Sequence, residues 1–115
     1  MKIINKNNKI KRKELQIMAE KMFGSLVKAV VDINKEIIAV DAPMHADQEA
    51  YLIEKGSKQK DLWGINLYPK KSGNKFIEFD SVINLRPNQN NRSRSVDDPN
   101  IRQKITKIID NLVQK

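Results

Sequence analysis

Two neighbouring segments decide the fold: Leu62-Trp63-Gly64-Ile65-Asn66-Leu67-Tyr68-Pro69 and Phe76-Ile77-Glu78-Phe79-Asp80-Ser81-Val82-Ile83-Asn84-Leu85-Arg86-Pro87. In the first, Trp63, Ile65 and Leu67 alternate with Gly64, Asn66 and Tyr68, the period of a strand with one buried face. In the second, Ile77, Phe79, Ile83 and Leu85 occupy one face, interrupted by Ser81, and Phe76, Glu78, Asp80, Val82, Asn84 and Arg86 occupy the other. Ser72-Gly73-Asn74 lies between them and supplies turn chemistry, so strands over Leu62–Tyr68 and Phe76–Leu85 are expected to form a hairpin.

Upstream, the apolar runs Leu26–Val31 and Ile37–Val40 flank Asp32-Ile33-Asn34-Lys35-Glu36, which predicts another hairpin. Its second strand is apolar on both faces, as an interior strand of a sheet would be. Three helices complete the pattern. Leu15, Met18, Ala19, Met22 and Phe23 make one apolar stripe over Arg12–Phe23, closed by Gly24. Ala46, Ala50 and Ile53 suggest a second stripe before Gly56. Asp98 as cap and Pro99 as first helical residue open a third helix, with Ile101, Ile105, Ile108, Ile109, Leu112 and Val113 inward. The expectation is an α+β domain over 12–115 in the order α-ββ-α-ββ-α. It has a four-stranded, largely antiparallel sheet of two hairpins, with three helices mainly on one face. Residues 1–11 are expected to be a basic tail or a short edge strand.

The chain has 115 residues, no cysteine, and a net charge of +8 from 22 Lys and Arg against 14 Asp and Glu. Lack of cysteine removes disulfide and thiolate chemistry and fits a cytoplasmic location. No apolar run reaches membrane-spanning length, and the N-terminus lacks the apolar core of a secretion signal, so no membrane association is expected. The positive charge is uneven: residues 1–24 hold seven bases and two acids, residues 25–56 three bases and six acids. Such a surface attracts nucleic acid or phosphorylated small molecules.

Three groups of residues are candidates for chemistry. Glu78, Asp80, Asn84 and Arg86 should share the uncovered sheet face with Asn66, although Asp and Asn are poor strand formers. His45, the only histidine, stands four residues from Glu49 and close to Asp47. It is the natural acid or base near neutrality, but two ligands do not make a metal site and no metal or other cofactor is assigned. Asn91-Arg92-Ser93-Arg94-Ser95 precedes the last helix and could cradle an anion, with Asp97 and Asp98 competing for the same N–H groups.

Several strings are distinctive together: Val30-Val31-Asp32, Ile38-Ala39-Val40-Asp41 with His45-Ala46-Asp47, and Gly56 through Pro69. Ile77-Glu78-Phe79-Asp80-Ser81, Ile83-Asn84-Leu85-Arg86-Pro87 and Asn91-Arg92-Ser93-Arg94 extend them. Over roughly residues 13–113 the chain resembles a family of small prokaryotic proteins of unknown function, a resemblance that implies no activity. Two functions therefore compete. One is a binding module for phosphate-bearing ligands, nucleic acid foremost, using Arg86, Arg92 and Arg94. The other is a small enzyme for an anionic substrate, with His45, Asp47 and Asp80 as catalytic candidates and Asn66, Glu78, Asn84, Arg86 and Asn91 around them. A homodimer that needs none of these residues is a third expectation.

Overall fold

A computed structural model describes the whole chain, Met1–Lys115. The strands are β1 (Lys2–Ile4), β2 (Ile10–Lys11), β3 (Val27–Asp32), β4 (Ile37–Val40), β5 (Leu62–Leu67), β6 (Ile77–Glu78) and β7 (Val113–Gln114). The helices are α1 (Arg12–Met22), α2 (His45–Glu54) and α3 (Pro99–Leu112). The main sheet has five strands, not four, in the order β1-β4-β3-β5-β6, with every pair antiparallel. Both hairpins form and are joined through the long β3–β5 pair, which runs from Val27↔Leu67 to Asp32↔Leu62. The fifth strand is β1, which closes the β4 edge with Ile3 opposite Ala39. That placement makes β4 interior, and it explains why Ile37–Val40 is apolar on both faces. A separate parallel pair, β2 with β7, ties the two ends of the chain together.

The alternation of the strands divides the interior. Val27, Ala29, Val31, Ile38, Val40, Trp63, Ile65 and Leu67 face one side, where Leu15 and Ala19 of α1 meet Ile105, Ile108, Ile109 and Leu112 of α3. On the other side, Val30, Ala39 and Leu62 pack against Leu52 of α2. The expectation of three helices mainly on one face holds for α1 and α3, and α2 instead covers the face that was expected to be open. Its buried stripe also differs. His45, Gln48 and Leu52 point to the sheet, whereas Ala46, Ala50 and Ile53 are exposed. Apolar periodicity could not find this stripe because two of its members are polar. They are buried to bond sheet carbonyls, Gln48 Nε2 donating to Lys28 O at 2.8 Å and His45 Nε2 lying 2.7 Å from Ile65 O.

The second correction concerns Phe76–Leu85. Only Ile77–Glu78 is strand. Past it, Ser81 accepts a bond from the Ile83 N–H and opens a 3-10 turn over Val82–Asn84; another 3-10 turn covers Pro87–Gln89. Asp80, Ser81 and Asn84 disfavour extended backbone and offer local side-chain bonds instead. Leu85, expected in the core, is 46% exposed. The turn passes over Gly64, where a Cβ would lie 2.5 Å from the Ser81 Cβ, so glycine is required there by space.

Candidate functional site

The shared strand face expected for Glu78, Asp80, Asn84 and Arg86 does not exist, and the structure separates these residues into two groups. Asn84, Arg86 and Asn91 are buried and bind backbone. The Asn84 carboxamide accepts from Gly64 N–H at 2.8 Å and donates to Gly64 O at 2.9 Å, while also donating to Arg94 O at 3.0 Å. Asn91 Nδ2 donates to the carbonyls of Asn84, Ser93 and Ser95, and its Oδ1 accepts from the Asp97 N–H. Arg86 donates to the carbonyls of Ile83, Gln59 and Leu62, stacks over Trp63 at 4.8 Å and pairs with Glu49 at 3.3 Å. Each nitrogen of this planar fork is held by the scaffold. Burial lowers the Arg86 pKa against the opposing pull of Glu49, and burial raises that of Glu49 against the pull of Arg86.

The other group gathers at one end of the sheet, under the first turn of α2. The register places Lys28, Asn66 and Glu78 in a row across β3, β5 and β6. Asn66 Nδ2 donates to Glu78 Oε1 at 2.8 Å and Asp80 O at 3.3 Å, and Tyr68 Oη donates to Glu78 Oε1 at 3.1 Å. Arg94 Nε donates to Asp80 Oδ1 at 2.7 Å. His45 completes the group. Because Nε2 faces a carbonyl it carries the proton, and Nδ1 is left as a lone-pair nitrogen with no protein partner. Burial lowers the His45 pKa; the Ile65 carbonyl raises it, Lys28 lowers it, and Asp80 and Arg94 add opposed smaller effects. Two buried oxygens nearby, Gln48 Oε1 and Asn66 Oδ1, also lack partners. His45 and Glu49, four residues apart, serve different neighbours, Ile65 and Arg86. Asp47 is exposed in the first turn and joins neither group.

The loop before α3 holds its own anions. Asp97 accepts from the Arg92 N–H at 3.0 Å and from Ser93 Oγ at 2.5 Å, bonds that lower its pKa, the Ser93 bond first. Asp98 caps α3 by accepting from the Asn100 N–H at 2.8 Å. The N–H groups that would cradle a phosphate are thus occupied by carboxylates. The Arg92 side chain makes no hydrogen bond or ion pair and remains exposed.

A further candidate escaped the sequence reading. A cleft of about 580 Å³ opens where the β1–β2 turn, the β3–β4 turn and the end of α3 meet. Lys6 and Lys9 stand on the first wall, Lys35 and Glu36 on the second, and Asn111 on the third, with Asn5 and Asn7 beside the lysines. None of these three lysines is in an ion pair; the four pairs in the protein are Lys2–Glu14, Lys60–Asp61, Arg86–Glu49 and Arg94–Asp80. Lys35 reaches toward the end of α2, where a Cβ on Gly56 would lie 3.2 Å from its Nζ. The signal in the sequence was the Lys- and Asn-rich run 5–9, but the contribution of two turns and a helix end to one cleft depends on the β1–β4 and β2–β7 pairings.

No helix is long and apolar enough to cross a membrane, and no cluster of three or more His, Asp or Glu side chains has metal-binding geometry. No curated protein and no solved structure matches the chain. A family profile covers residues 2–112, and by that match the chain belongs to the family described as protein of unknown function (DUF5674).

Proposed function

We propose that this protein is a binding module for phosphate-bearing ligands and that the Lys6–Lys9–Lys35 cleft is where they bind. The observation that carries the reading is one concavity lined by three lysines, none of them neutralised by a carboxylate pair. Concave sites with a few convergent polar groups are where small ligands usually bind, and the net charge of +8 favours anions over long range. Of the arginines first considered, Arg86 is committed to backbone and Arg94 to Asp80, and Arg92 stands before α3, at the opposite end of that helix from the cleft.

The test is thermal unfolding in chloride and in pyrophosphate at matched ionic strength. A ligand that binds only the native state raises the melting temperature by mass action. Pyrophosphate should stabilise the wild type beyond chloride; Lys6→Glu/Lys9→Glu should lose that difference, and Arg92→Ala/Arg94→Ala should keep it. Equal stability of the wild type in the two salts would refute the reading.

The alternative is an enzyme acting on an anionic substrate at the sheet end. One observation favours it: His45 carries an unpartnered Nδ1 beside two sealed, unpartnered carboxamide oxygens. Its test is nuclear magnetic resonance of the His45 ring during the same pyrophosphate titration. Ring shifts that survive Lys6→Glu/Lys9→Glu would move the site from the cleft to His45.

A further inference from the structure

We infer that the cleft takes a nucleoside polyphosphate, an inference that rests on the binding reading above. The three walls carry two kinds of chemistry. Lys6 and Lys9 belong to one wall, whereas the Lys35 ammonium lies beside Gly56, so the positive charge is concentrated on the β1–β2 wall, where two lysines suit a chain of phosphates better than one phosphate. The side chains of Asn7 and Asn111 make no hydrogen bond within the protein, and each offers an N–H pair and a carbonyl oxygen. A carboxamide of this kind matches the adjacent donor and acceptor on a base edge, and a carboxylate such as Glu36 accepts from an exocyclic amine. Inorganic polyphosphate would engage only the N–H groups of these carboxamides, leave their carbonyl oxygens unpaired and be repelled by Glu36. Of the apolar residues that back the cleft, Ile37 offers a base part of its surface, whereas Ile108 and Leu112 are each only 3% exposed.

The same cleft is poorly built for a nucleic-acid strand. Single-strand sites are open grooves that follow the backbone and stack successive bases on aromatic rings. No aromatic residue lines this cleft, and its walls are two short turns and a helix end. A volume of about 580 Å³ lies within the range of single small-ligand sites.

Isothermal titration calorimetry of the full chain, in magnesium-free low-salt buffer, separates the outcomes. The probes are ATP, inorganic triphosphate and single-stranded DNA oligomers of increasing length. ATP should bind at least about tenfold more tightly than triphosphate. Asn7→Ala/Asn111→Ala should erase that gap by weakening ATP binding more than triphosphate binding, and Lys6→Glu/Lys9→Glu should weaken both. Equal binding of ATP and triphosphate to the wild type would overturn the inference and leave the cleft a general polyanion site. Oligomer binding that tightens with length and is not displaced by ATP would overturn it in favour of a strand. Binding of none of the probes would remove the underlying reading as well.

Discussion

Gly64 has its outer N–H and C=O aimed at the position where β6 has already stopped, and the Asn84 carboxamide satisfies both groups. One side chain thereby replaces a missing strand residue, and a third bond to Arg94 O attaches the loop that follows. Replacing Asn84 with Ala leaves the buried Gly64 backbone groups without partners. Each such group costs about 1–3 kcal/mol, so Asn84→Ala should lower unfolding free energy by roughly 2–4 kcal/mol in urea titrations. A change within 0.5 kcal/mol, the range of roughly neutral surface substitutions, would show that the carboxamide is not structural. His45 gives a prediction in pH. Burial holds its folded-state pKa below the ordinary value of 6.5, so below that value the unfolded chain takes up the proton more readily. The stability contributed by neutral His45 is complete above about pH 6.5 and is lost as pH falls through the window between the unfolded and folded values. Glu49 runs the other way: its raised pKa favours the folded state at low pH, and that contribution fades as pH rises above 4.5. The melting temperature of the wild type should therefore fall from pH 7.5 to pH 5.5 by more than that of His45→Gln. Equal falls in the two proteins would remove His45 as the cause.

Among the elements, α1, α3, β3, β4 and β5 were legible because their buried positions are mostly apolar, although Met22 and Phe23 of the stripe expected in α1 are 42% and 43% exposed. Asp98 and Pro99 marked the start of α3, and Ile105, Ile108, Ile109 and Leu112 its buried stripe. The failures share one cause, which is polar side chains that satisfy backbone. Asp80 and Asn84 look like functional residues on a strand, but the strand ends at Glu78 and Asn84 bonds the Gly64 backbone. Arg86 looks like an anion-binding residue, but its donors go to three carbonyls from separate segments, which no local pattern reveals. In α2 the buried positions are His45, Gln48 and Leu52, so a search for apolar spacing settled on Ala46, Ala50 and Ile53. Part of the candidate site was visible: Asn66, Glu78, Asp80, His45 and Arg94 do come together. The lysine cleft was not, because its walls are distant in sequence. The placement of α2 can be tested with adjacent residues. Leu52, 1% exposed, sits against Val30, Ala39 and Leu62, whereas Ile53 is 43% exposed. Leu52→Ala should cost about 2–5 kcal/mol, and Ile53→Ala should stay within about 0.5 kcal/mol. A larger cost at Ile53 than at Leu52 in chemical denaturation would mean that α2 packs through its other side.

For the whole molecule, the first eleven residues connect composition, stability and the proposed site. Their Lys and Asn content resembles a solvated tail, yet Ile4 and Ile10 are fully buried and belong to the main core. Ile4 lies on β1 opposite Ile38, and Ile10 lies on β2 opposite Val113, so the segment joins the sheet edge to the end of α3. Burying a side chain of this size contributes about 1.5–3 kcal/mol, so the two together contribute about 3–6 kcal/mol, a large share of a net stability of about 5–15 kcal/mol. Removal would also expose the β4 edge to unwanted strand pairing. A chain lacking residues 1–11 should therefore melt much lower or fail to fold, and should aggregate more readily. Ile4→Ala and Ile10→Ala keep the prediction testable if the truncated chain is insoluble; each should cost about 2–5 kcal/mol in urea unfolding. These alanine variants retain Lys6 and Lys9, so a loss of pyrophosphate stabilisation in a still-folded variant would show that the β1–β2 turn must be anchored for the cleft to work. A truncated chain as stable as the full one would instead make the segment the tail its composition suggested, and would leave the cleft without a fixed first wall.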